Sequence, residues 1–187
     1  MYRIAAVLTV FAALFCLPAN FAMAQSAPPS NAEQAEAVRA ALAREFGTHL
    51  TPVARFAPMF GDFDGDGAED LAVVVTGKPA IEQGEYDYKL IDPYDSYFGY
   101  GNAKLMMSFP SRVDGAALYV AIVHDWRAAK PKAKFVIVNL PFEQIEVTRT
   151  QFKKKKISAL AVTDSTGIDA QVFWDGRKYR WIAVGGE

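Results

Sequence analysis

The stretch Gly61–Val75, GDFDGDGAEDLAVVV, constrains this chain more than any other. It puts Asp62, Asp64, Asp66, Glu69 and Asp70 within nine residues, with no Lys or Arg among them, and then runs into an apolar segment. Carboxylates this close repel one another by about 1 kcal/mol per close pair even under water-like screening. A fold that brings them together has to neutralise them. Numbered from Asp62, the aspartates stand at loop positions one, three, five and nine, and Gly65 and Gly67 at four and six. Calcium takes six to eight hard oxygens at about 2.3–2.6 Å. Short carboxylates alternating along a tightly turned backbone can face one centre, and the glycines permit the turn. The candidate ligands are Asp62, Asp64, Asp66, the backbone carbonyl of Ala68, and Asp70, around one structural Ca2+. An EF-hand is excluded. Its loop needs a bidentate Glu at position twelve and a helix on each side, and position twelve is Val73 in an apolar run.

The pattern D-x-D-x-D-G-x-x-D followed by an apolar strand resembles the calcium-binding loop of FG-GAP repeats, which build integrin-α-type and bacterial VCBS-type β-propellers. Asp62, Asp64, Asp66, Gly67 and Asp70 match it, and Leu71 begins the strand. The resemblance implies the same five ligands. It covers about fifteen residues, and the chain contains no second copy of the motif. A propeller needs several blades of similar length. The loop and its strand carry over; the propeller and its adhesion roles do not.

The N-terminus reads MYRIAAVLTVFAALFCLPANFAMAQ. Arg3, an apolar run from Ile4 to Leu17 and the small-x-small triplet Ala22–Ala24 have the form of a secretory signal peptide cut after Ala24. Cys16 follows Phe15, where a lipoprotein signal needs a small residue. Removing residues 1–24 takes away the only cysteine, so disulfides, thiol catalysis and cysteine-ligated metals are excluded from the mature chain. About 160 residues remain, the length of one domain. The near balance of 20 basic and 21 acidic residues gives no electrostatic footprint for nucleic acid. No second apolar segment approaches a membrane-spanning length. The expected location is secreted or periplasmic.

The rest of the chain points to an α+β fold of residues 32–187 behind a flexible leader, 25–31. An amphipathic helix is expected over about Ala32 to Phe46, where Ala35, Val38, Leu42 and Phe46 keep helical spacing and Gly47 can end it. It should pack on a mostly antiparallel sheet of six or seven strands. Val53–Phe63 reads as one of them. DLAVVVTG, ALYVAIVHDW, KFVIVNL and ISALAVTD read as buried strands. Asp175-Gly176 marks a hairpin between two aromatic-rich runs. Phe142–Thr150 fits a short helix or a strand. Lys153–Lys156 suits an anionic partner or a charged turn guarding a strand edge.

Two functional classes follow. In the first, the protein is a non-enzymatic calcium-binding protein that serves a structural role or binds a protein or glycan partner. Tyr86, Tyr88, Tyr94, Tyr97 and Tyr100 are the candidate ligand-binding residues, because tyrosines offer large faces with polar tips. Core packing under a long loop is their other reading. In the second, the protein is a secreted hydrolase, for example one acting on glycans, using the Tyr86–Tyr100 region and nearby carboxylates. His124 ends an apolar strand, where a catalytic base could sit. No G-x-S-x-G elbow supplies a nucleophile, and no H-E-x-x-H zinc motif occurs. No catalytic residue is assigned.

Overall fold

The computed structural model describes residues 31–77, 87–93 and 118–184. Among these residues are one helix, α1 (Asn31–Phe46), and ten strands. These are β1 (Leu50–Pro52), β2 (Met59–Gly61), β3 (Asp70–Gly77), β4 (Lys89–Ile91), β5 (Tyr119–His124), β6 (Ala133–Ile137), β7 (Gln144–Phe152), β8 (Lys155–Thr163), β9 (Asp169–Trp174) and β10 (Tyr179–Ala183). The class is α+β, mostly strand. No described helix is long and apolar enough to cross a membrane.

The strands form two sheets rather than the single sheet expected. The first runs β1-β3-β5-β6-β4, with β2 also on β3; the second runs β10-β9-β8-β7. Every pairing is antiparallel except β4 with β6. The described strands close into no barrel or propeller ring.

The first sheet is the middle layer, and this explains its continuous apolar runs. On β3, Leu71, Val73 and Val75 pack toward α1, while Ala72 and Val74 pack toward the second sheet. On β5, Tyr119, Ala121 and Val123 take the helix side, and Val120 and Ile122 the other. Strands buried on both faces lose the alternation of half-exposed ones. Helix α1 supplies Val38, Ala41, Leu42 and Phe46. It ends where expected, with Gly47 at φ +67° and its amide donating to Ala43 O at 3.0 Å. Buried Glu45 is paired with Arg44 and, at 3.5 Å, with Lys134.

Two expectations are corrected. Val53–Phe63 is not one strand. The chain pairs with the C-terminal half of β3 through β1, turns at Val53–Phe56, and pairs with the N-terminal half through β2. Three-residue strands are too short to show a period. The strand count rises to ten for the same reason. Phe142–Thr150, left open above, lies mostly in β7, and Lys153-Lys154 form the tight turn to β8, with Lys153 at φ +57°. The Asp175-Gly176 hairpin is found as expected, between β9 and β10.

Candidate metal centre

The acidic loop joins β2 to β3 and lies where the two sheets meet. Its start is held against β8: the Ser158 amide donates to Asp62 O at 2.7 Å, and the Asp62 amide to Ser158 Oγ at 3.1 Å. Lys155 Nζ donates to Gly65 O at 3.1 Å. Gly61 permits this approach, since a Cβ there would lie 2.5 Å from Ser158 Oγ. Gly65 has φ +73°, and a Cβ would meet Ile157 Cγ2 at 2.8 Å. A side chain at Gly65 is opposed by both backbone and space.

The aspartates organise the loop backbone. Asp62 Oδ1 accepts from the Gly65 and Asp66 amides at 2.7 and 3.0 Å, and Oδ2 from Gly67 at 3.0 Å. Asp70, fully buried at the start of β3, accepts from the Phe63 amide at 2.7 Å and the Asp125 amide at 2.9 Å. It thereby ties the loop to the end of β5. Glu69 turns away, accepting from Trp126 Nε1 and Arg127 Nε.

Asp62, Asp64 and Asp70 each bring one carboxylate oxygen to within 4.8 Å of the others. Ligands on opposite sides of a calcium ion lie about 4.6–5.2 Å apart, twice the usual bond length. The spacing is therefore that of a group able to hold one metal ion, and the all-oxygen donor set suits a hard cation. Asp66 is not part of this trio. Its Oδ1 accepts from the Ala68 amide at 2.9 Å, and its Oδ2 from Lys132 Nζ at 2.6 Å. Lys132 Nζ also lies 2.5 Å from Asp64 Oδ2, so one ammonium bridges two of the carboxylates.

The electrostatics match a partly neutralised cluster. Burial, reinforced by the charges of Asp64 and Asp66, pushes the Asp70 carboxyl up to about 7 against the pull of its two amide donors. The Lys132 hydrogen bond holds Asp66 below the usual range. The two aspartates hold the Lys132 ammonium above its ordinary value. Burial pushes His124 down to about 4, so its ring is neutral.

Three neighbours absent from the candidate ligand list belong to this centre: Lys132, Tyr179 and His124. His124 Nε2 lies 2.7 Å from the Tyr179 hydroxyl and its Nδ1 3.5 Å from Asp64 Oδ2, among the rings of Phe135 and Trp174. A sequence signal for one of them existed. Pairing the two longest apolar runs antiparallel brings the polar start of β3 beside the polar end of β5, and with it Asp70 beside His124-Asp125.

Tyr88 is half-buried, with its ring 5.3 Å from that of Phe46, and packs against the cluster between α1 and the first sheet. Tyr86, Tyr94, Tyr97 and Tyr100 lie outside the described residues, as do the expected signal peptide and leader. A cleft of about 630 Å³ opens beside the loop, lined among others by Asp62, Thr148, Arg149, Lys156 and Ser158. No protein-family model, no curated protein and no solved structure matches this chain.

Proposed function

We propose that this is a secreted or periplasmic calcium-binding protein of non-enzymatic type, whose single ion stiffens the junction between its two sheets. The reading rests above all on the convergence of Asp62, Asp64 and Asp70 within 4.8 Å on a loop hydrogen-bonded to β8 and to the end of β5. Asp66 and the Ala68 carbonyl complete the FG-GAP-type ligand set, Asp66 after release from Lys132. The ion supplies positive charge where carboxylates would otherwise repel, and the loop then holds β2, β3, β5 and β8 in one arrangement.

The partner side of the function is assigned to the cleft beside the loop. Arg149 and Lys156 give it positive charge, and Thr148 and Ser158 offer hydroxyls. This suits an acidic group on a glycan or protein. Titration calorimetry tests the metal reading: one Ca2+ per chain for the wild type, and at least tenfold weaker binding for Asp62→Asn and Asp64→Asn. An extracellular-type affinity lies at about 10⁻⁴–10⁻³ M. No heat of binding at millimolar calcium contradicts it.

A further inference from the structure

Strand β7 is the outer strand of the second sheet, with β8 as its one neighbour there among the described residues. It is nine residues long and none of them is buried. The hydrogen bonds of β8 show which way the backbone of β7 faces. The Ser158 amide donates to Asp62 O, on the side away from β7, whereas Thr163 O accepts from the Glu143 amide, on the β7 side. Backbone groups alternate in direction along an extended strand. The odd-numbered residues of β8 therefore bond β7, and by register the even-numbered residues of β7 bond β8. Ile145, Val147, Arg149 and Gln151 turn their N–H and C=O groups to the open edge. An edge of this kind templates another strand unless it is guarded. β7 carries no proline, and the lysines of Lys153–Lys156 begin past its end. The cleft beside the acidic loop opens along it, lined by Val147 and Arg149.

The charges select the strand that fits. Glu143 and Glu146 stand at the start of β7, and Arg149, Lys153 and Lys154 toward and beyond its end; all five are exposed. No ion pair among the described residues uses any of them. An antiparallel strand of the same sequence sets acidic start against basic end, and a two-fold axis does so twice. Like charges directly opposite one another are destabilising. An axis at Glu146 would set that residue against its own copy, and an axis at Arg149 would do the same for the arginine. An axis at Thr148 avoids both. It sets Thr148 on Thr148, Glu146 on Thr150 and Glu143 on Lys153 of the second copy, whereas an axis at Val147 leaves Lys153 without Glu143.

We propose that β7 pairs antiparallel with β7 of a second copy of this chain about a two-fold axis at Thr148, joining the two four-stranded sheets into one. The second copy then brings its own glutamates to the basic side of the cleft. The pairing uses no metal ion, so it stands or falls apart from the calcium reading.

A single strand pair is a small interface, so the dimer depends on concentration. Sedimentation of the wild type from micromolar to millimolar chain should show monomer passing to dimer. Val147→Pro removes an outward amide and no bond to β8, so the variant should keep the wild-type circular dichroism spectrum and remain a monomer. Opposed residues of a non-hydrogen-bonded pair lie about 4.5 Å apart at Cα, within disulfide reach. With the only native cysteine removed by Cys16→Ser, Thr148→Cys should therefore form a disulfide-linked dimer on mild oxidation, and Gln151→Cys should not. The wild-type and cysteine arms stand even if Val147→Pro does not fold. A wild type that is monomeric throughout, a dimer indifferent to Val147→Pro, or a cross-link at Gln151→Cys rather than Thr148→Cys overturns the pairing. So does a monomeric wild type that takes up an oligoglutamate peptide at this edge, which would assign the strand to an acidic partner. Each of these results leaves calcium binding untouched, and loss of calcium binding leaves the dimer.

Discussion

Asp70 concentrates the tension in the loop. It is a buried carboxyl at about 7, against an ordinary value of 3.8. The cation-free fold therefore holds a proton there that the unfolded chain has released between pH 4 and 7. Its contribution to stability falls as pH rises through that window. His124, at about 4 instead of 6.5, acts in the opposite sense, and its contribution grows as pH rises from 4 to 6.5. A bound cation needs the ionised form of Asp70. Calcium affinity is thus expected to fall by about tenfold per pH unit below 7. Calorimetry at pH 5.5, 6.5 and 7.5 checks this, and a flat profile contradicts it. Lys132 is the cluster's own cation, bridging Asp64 and Asp66. Lys132→Met should raise calcium affinity several-fold and lower the melting temperature in EDTA. Weaker calcium binding by that variant would show that the lysine is not a competitor.

At the scale of elements, the seam between the loop and β8 decides how the two sheets meet. Gly65→Ala forces a side chain into a left-handed backbone and against Ile157, at an expected cost of about 2 kcal/mol. A urea melt measures it, and a loss below about 0.5 kcal/mol would mean the loop is not held at β8. How much of this was legible varied with length and range. The runs of β3 and β5, the Asp175-Gly176 hairpin and the end of α1 at Gly47 carry local signals, and each was readable. β1, β2 and β4 have three residues each and carry no period. The second sheet was hidden because the strands of both sheets bury apolar faces in one core, and strand pattern does not say which sheet a strand joins. The aspartate spacing pointed to the loop where Asp62, Asp64 and Asp70 converge. Lys132, Ser158 and Tyr179 reach it from 66 to 109 residues away from Asp66, Asp62 and Asp70, and pairing register alone brings them in.

The described residues form three layers, with α1 on one face of the first sheet and the second sheet on the other. The core between the sheets includes Val74, Ile122, Phe135, Leu160, Val172 and Tyr179. Leu160 has no exposed surface, and Leu160→Ala should cost about 2–5 kcal/mol by chemical denaturation. A smaller loss would mean that the sheets are not packed as described. The candidate metal centre sits where the two sheets meet, so its occupancy should register in global stability as well as in the loop. Thermal unfolding in calcium and in EDTA, for the wild type and Asp62→Asn, tests this most directly. At calcium ten times the dissociation constant the gain is about 1.4 kcal/mol. For a domain of this size, that is a rise of about 3–6 °C. The wild type should show it and Asp62→Asn should not; equal wild-type midpoints in calcium and EDTA would contradict the metal centre itself.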